Sequence, residues 1–275
     1  MQNPQKNLTQ KQSKRRISLA KATGWTLLGT GIIALILSII YASSIPAFIG
    51  LGLIFWGIIL TYIQNEEYVK EPLFEATALS PLATLNQIIQ DMNYTGNSIY
   101  LSPRYFKNPE ANKAYIPKQK DQKLPTPEQI QNQENQLFTQ EPQGMLITPP
   151  GAELNKFFEK SLGTSFTKVE LSYLEQNMPK LFTEDLEISQ TFQIKTENDK
   201  ITITLENSIY GKLCKEAQTF TSAYSALGCP LSSALACALS KATGKPITIT
   251  NQDVSKDNKK IKIEFHILHE EHKEK

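Results

Sequence analysis

The sequence is short of the residues on which most catalytic constellations depend. Its three histidines, His266, His269 and His272, all fall within the last ten residues. A mechanism that needs an imidazole must therefore bring in the C-terminus, which argues against Ser-His-Asp hydrolysis, zincin motifs and kinase catalytic loops. The three cysteines, Cys214, Cys229 and Cys237, contain no C-x-x-C pair, so the usual spacings of a structural zinc site or redox dithiol are missing. Neither G-x-G-x-x-G nor G-x-x-x-x-G-K-[ST] occurs, and Thr243-Gly244-Lys245-Pro246 reads as a helix end rather than a phosphate loop. Arginine is nearly absent after the first sixteen residues. Arg104 is the single one there, and Glu66–Lys275 holds 23 basic against 27 acidic residues, which argues against nucleic acid as a partner.

Charge is also missing from one long stretch. From Ala22 to Asn65, 44 consecutive residues contain no Asp, Glu, Lys, Arg or His, in a chain of 275 residues with net charge +2. A helix of that length would span about 66 Å, roughly twice the ~30 Å hydrocarbon core of a bilayer, so the stretch predicts two spans. Ser43-Ser44-Ile45-Pro46 marks the break, because Pro46 lacks a backbone donor and disfavours helix in Ile45. The expected spans are residues 25–42 and 47–63, within a hairpin of residues 22–65. A cleaved secretory signal is the alternative, but the apolar run exceeds the usual signal core and a second apolar segment follows at once.

Six cations (Lys6, Lys11, Lys14, Arg15, Arg16 and Lys21) precede the first span and none lies in the turn, so the positive-inside rule places the basic tail, residues 1–21, in the cytoplasm. A hairpin returns the chain to the same side. The expected localisation is therefore a multi-pass cell-membrane protein with both termini cytoplasmic and the lipid bilayer as its first partner. Trp25, Tyr62, Tyr41 and Phe48 fall near the interfaces. In the first span Ala22, Thr26, Thr30, Ala34, Ser38 and Ala42 recur at i, i+4 spacing, a ridge that Gly50 and Gly57 of the second span match. This ridge serves either packing within the hairpin or a homodimer seam.

Beyond the membrane segment, residues 66–118 read as a small α/β piece: a helix opened by Ser80-Pro81 with Leu82, Leu85, Ile88 and Ile89 at helical spacing, then short strands at Ser98–Ser102 and Ala114–Pro117. Between Gln119 and Gln143, 10 of 25 residues are Gln or Asn, which predicts a linker, with a transient helix where Thr126 caps Pro127. Residues 144–268 predict an α+β domain. Its elements are a helix through Leu154, Phe157, Phe158 and Leu162, a second with a Thr167/Glu170 capping box and Pro179 as its stop, and a hairpin turning at Asn198-Asp199. A long helix from Ile209 to Ala226, a helix Leu231–Thr243 started by Pro230, and strands Ile247–Thr250 and Lys260–Leu268 follow. Residues 269–275 form a charged tail. Blocks of strands and helices, rather than strict alternation, give the fold class: α+β, a transmembrane helical hairpin followed by a cytoplasmic domain whose helices cover an antiparallel sheet.

A cytoplasmic location implies reduced thiols. Cys214 and Cys237 sit in apolar helices, as small core residues do. Cys229, in Gly228-Cys229-Pro230, opens a helix whose free N–H groups favour a thiolate, so it is either a functional thiol or an inward-turned capping residue. With Cys214 and Tyr224 it marks the expected ligand site, a pocket between the helices Ile209–Ala226 and Leu231–Thr243 and the sheet. The histidines at H-x-x-H-x-x-H spacing are either metal ligands or part of a solvated tail. The alternation places His266 on a strand, where residues three apart point to opposite sides, which favours the tail. Glu170, Glu175, Glu184 and Asp185 lie on polar helix faces with no sign of pairing. No metal site and no particular cofactor follow from the sequence.

From Gly228 to Leu268 the order of helix, Thr-Gly-Lys-Pro, strand, polar loop and alternating strand resembles the C-terminal part of the 4-vinyl-reductase-like small-molecule-binding domains. The likeness covers about 80 residues from Phe192 onward. It implies a small hydrophobic ligand and self-pairing, although Thr250–Leu268 has none of the cysteines such domains usually carry there. The whole arrangement, with Leu101-Ser102-Pro103-Arg104-Tyr105-Phe106 and Gly228-Cys229-Pro230, is also similar to two-span prokaryotic membrane proteins of archaeal type, for which no activity is implied. Together these readings predict a membrane-anchored, non-enzymatic binding or sensing module. The alternatives are a thiol-dependent enzyme using Cys229 and a scaffold that recruits proteins through the Gln-rich segment.

Overall fold

A computed structural model describes residues 23–41, 43–62, 71–120 and 122–269. The basic tail, Ala22, Ala42 and the last six residues, His272 among them, lie outside the described residues, as does the side chain of Tyr62. The chain divides after Val69 into two compact units.

In the first unit α1 (Thr23–Ile40) and α2 (Ser44–Tyr62) are long and apolar enough to cross a membrane. They begin two and three residues earlier, respectively, than the sequence suggests. Pro46 is accommodated in the first turn of α2, where its missing donor costs no helical bond. The link is closed by Ser38, whose Oγ donates to the Ser43 carbonyl at 2.6 Å. The helices meet through glycines spaced seven apart. A Cβ on Gly31 would stand 2.8 Å from the Gly50 carbonyl oxygen, and one on Gly24 would meet Thr61 and, at 3.2 Å, the Gly57 carbonyl oxygen. Gly50 and Gly57 thus form the expected groove, but the matching ridge is Gly24 and Gly31. Thr26 and Thr30 are exposed, while Ala34 and Ser38 are half-buried. The reason is steric: only glycine lets backbones approach this closely, and the Thr-rich register lies round the helix from it.

The second unit is built on one eight-stranded antiparallel sheet, ordered β3-β4-β2-β1-β7-β8-β6-β5. The strands are β1 (Ile99–Tyr100), β2 (Ala114–Pro117), β3 (Phe138–Gln140), β4 (Gln143–Ile147), β5 (Thr191–Glu197), β6 (Lys200–Glu206), β7 (Ile247–Val254) and β8 (Lys260–Ile267). Among the described residues, 71–118 contribute to the same sheet, since Tyr100 of β1 pairs with Ile247 of β7. The β5–β6 hairpin forms as expected, with Asn198 at φ 53° in its turn.

One face carries α3 (Glu71–Asp91), α5 (Ala152–Leu162), α6 (Leu171–Lys180), α7 (Gly211–Ala217), α8 (Thr221–Leu227) and α9 (Pro230–Thr243) over the main core. Helix α3 starts nine residues before Ser80 and contains Pro81, so that proline does not open it. In α9 every residue from Pro230 to Lys241 is buried, as its small side chains allow. The expected helix Ile209–Ala226 is two helices broken at Gln218–Phe220, and Ile209 is exposed. Pro179 likewise lies inside the last turn of α6, which runs on into a wide turn at Leu181–Asp185. The Thr167/Glu170 box is not formed; Ser165 Oγ accepts from the Thr167 N–H instead.

The Gln-rich stretch, expected as a linker, carries a helix and a strand of the sheet unit. Thr126 and Gln129 exchange the two bonds of a capping box on α4 (Pro127–Gln133), Ile130 is fully buried, and β3 adds an edge to the sheet. One buried isoleucine holds this helix because it lands on a second, smaller core of Ile99, Leu101, Tyr105, Phe106, Tyr115 and Leu146 on the other sheet face.

Candidate functional site

Cys214 lies on α7 and Cys229 caps α9, and a disulfide joins them with Cα atoms 5.2 Å apart. The reduced state expected for these two residues is thus corrected. The break between α7 and α8 turns the chain so that the start of α9 returns to α7, an approach hidden by the separation of 15 residues. Both residues are buried, so in this state Cys229 offers no thiol to a substrate.

Around the disulfide the polar groups are satisfied among themselves. Ser232 Oγ lies 2.9 Å from Gln252 Oε1, Gln252 Nε2 donates to the Tyr224 carbonyl at 2.8 Å, and Gln218 Nε2 donates to the Tyr224 hydroxyl at 3.2 Å. Burial raises the Tyr224 phenol above its ordinary range. Cys214, Cys229 and Tyr224 therefore come together, but within a packed interior of Leu213, Leu227 and Leu231. Cys237 is a free, buried thiol that burial pushes up to about 12.

A second interior cluster joins α5 to α9. Lys241 Nζ is 3.0 and 3.1 Å from the two carboxylate oxygens of Glu159 and 3.6 Å from Glu110 Oε2. Glu159 Oε1 also accepts from the Phe166 N–H at 2.8 Å. With the Ser165 hydroxyl donating to the same Oε1 at 3.2 Å, three partners on one carboxylate and two carboxylates on one ammonium make this a satisfied structural network.

Openings occur elsewhere. A half-open cleft of about 590 Å³ lies where the end of β4 meets α3 and the loops around α4. Its wall is formed by Leu85, Ile88, Phe106, Leu137, Leu146 and Ile147, and its polar rim includes Asn108, Lys113, Glu134 and Thr148. Glu134 Oε2 accepts from the Lys107 N–H at 3.1 Å, whereas Lys113 has no ion-pair partner among the described residues. A smaller cleft of about 360 Å³ is lined by Ile99, Pro117, Lys120, Leu124, Thr248 and His269, among others. There His269 Nε2 is 2.6 Å from Asp199 Oδ1, and this hydrogen bond holds the Asp199 carboxyl below its usual range. No group of three or more metal-ligating side chains is found among the described residues.

A family model described as Domain of unknown function (DUF7982) matches residues 1–266, spanning both the apolar helical pair and the sheet unit. The chain belongs to the DUF7982 family. No curated protein and no solved structure matches it. The larger cleft escaped the sequence reading, although the apolar pair Leu137-Phe138 inside a Gln-rich stretch was a usable signal. Leu137 proves to line the cleft.

Proposed function

We propose that this DUF7982 protein is a membrane-anchored binding module, non-enzymatic, held by the α1–α2 hairpin with both termini cytoplasmic and taking a small, largely apolar ligand in the β4–α3 cleft. The observation that carries this reading is the cleft itself. Its volume of about 590 Å³ and its mainly apolar wall with a few polar groups at the rim match the usual anatomy of small-molecule sites. The basic tail and the uncharged turn support the orientation.

The disulfide is compatible with a reducing compartment on kinetic grounds. Exchange requires a thiolate to reach a disulfide sulfur, and Cys214 and Cys229 are 0% and 2% exposed. Burial therefore slows attack on the bond while the domain stays folded. Native mass spectrometry of the detergent-extracted full chain tests the reading: a retained small molecule that Leu137→Asp releases is expected, and a bare chain under all extraction conditions refutes it. Protease added outside sealed spheroplasts tests the orientation, and digestion of the sheet unit would overturn it.

A further inference from the structure

We infer that the cleft between α3 and β4 takes a single-chain aliphatic carboxylate, with its hydrocarbon along Leu85, Ile88, Leu137 and Ile147 and its carboxylate at Lys113. This rests on the binding-module reading and narrows it to a ligand class. The apolar part of the lining is mostly leucine and isoleucine, with Phe106 the one aromatic ring, so it offers no pair of faces between which a flat base or cofactor would stack. Arg104, the single arginine of the sheet unit, is not among the lining residues, and no planar fork is present for a phosphate.

The charges at the rim are unequal in availability. Glu134 already accepts a hydrogen bond from the Lys107 backbone amide, while Lys113, a half-buried residue, has no anionic partner among the described residues. An ammonium next to an apolar wall is stabilised by an anion that brings its own hydrocarbon, because one molecule then covers the wall and pairs the charge. Asn108, Asn135, Gln136 and Thr148 supply hydrogen bonds at the same rim without adding charge. A neutral lipid would leave Lys113 unpaired, and a short hydrophilic acid would leave the wall uncovered.

The test uses the full chain in detergent, irradiated with palmitic acid carrying a mid-chain diazirine and, separately, with the corresponding alcohol, followed by peptide mapping. The acid is expected to label the segments containing Leu85–Ile88 or Leu137, and the alcohol about tenfold less, the value of one charge-assisted bond. Lys113→Gln should bring the acid down to the level of the alcohol, Lys113→Arg should retain labelling, and Leu137→Asp, at a half-exposed position, should lower both. Equal labelling by acid and alcohol, unchanged in Lys113→Gln, overturns the carboxylate inference and leaves the binding module standing. Absence of cleft labelling by either probe overturns both.

Discussion

Lys241 of α9 and Glu159 of α5 form an ion pair inside the core, with Nζ 3.0 and 3.1 Å from the two carboxylate oxygens. Both partners are largely shielded from solvent, with side chains 2% and 11% exposed. Breaking such a pair is costly because the remaining charge stays buried, whereas removing both charges costs much less. Lys241→Met should destabilise the domain by about 3–5 kcal/mol, and Lys241→Met combined with Glu159→Gln should recover a large part of that loss. Urea unfolding of the three proteins checks it; a double variant as unstable as the single one would refute the pairing.

The disulfide predicts a thiol count. Denatured without reductant, the chain should show one titratable thiol, that of Cys237, and after reduction all three cysteines. In the folded protein Cys237 should resist alkylation at mildly alkaline pH, because burial pushes its thiol up to about 12. Replacing Cys214 and Cys229 together by serine should cost about 3 kcal/mol, the value for closing a loop of this size. Three reactive thiols before reduction would exclude the bond.

Asp199 and His269 predict a pH effect with a definite sign. The hydrogen bond from His269 lowers the folded-state pKa of Asp199 below 3.8, so its contribution to stability is present above the unfolded-state value and disappears as pH falls through the lowered one. Carboxyl chemical shifts should place the Asp199 midpoint below 3.8, and His269→Asn should return it toward that value. An unshifted midpoint in the parent protein would contradict the contact.

The glycines of the helical hairpin should differ sharply in tolerance. A Cβ at Gly31 or Gly50 would stand 2.8 Å from a carbonyl oxygen of the other helix, while Gly29 and Gly52 have nothing within 4 Å. Gly31→Leu and Gly50→Leu should lower the thermal stability of the extracted protein and expose the hairpin to protease, and Gly29→Leu and Gly52→Leu should do neither. Similar behaviour of all four would refute the packing register.

Much of the fold was legible where a local rule met a matching environment. Period-two alternation at Ile201, Ile203 and Leu205 and at Ile261, Ile263, Phe265 and Ile267 marked central strands, and each of these residues is buried. Pro230 at the start of α9 and Gly244 at φ 64° after it did the same for a helix. Local rules failed where a distant group supplied the decisive bond. The helix from Ile209 breaks before α8 because Asn86 of α3 accepts from the Ser222 and Ala223 N–H groups, capping a new helix start from 136 residues away. Small, apolar α9 signalled close packing, and every residue from Pro230 to Lys241 is buried.

The sequence by itself determined the two uncharged helices, the antiparallel character of the sheet and the small-residue nature of its central helix, because hydrophobic period, charge and turn residues act within a few positions along the chain. Tertiary structure alone decided that Cys214 meets Cys229, that a Gln-rich segment is ordered through one isoleucine, and that the open cleft lies between α3 and β4. Each of these depends on which surfaces are brought together at long range, and burial rewards such contacts only after the chain has closed the loops between them.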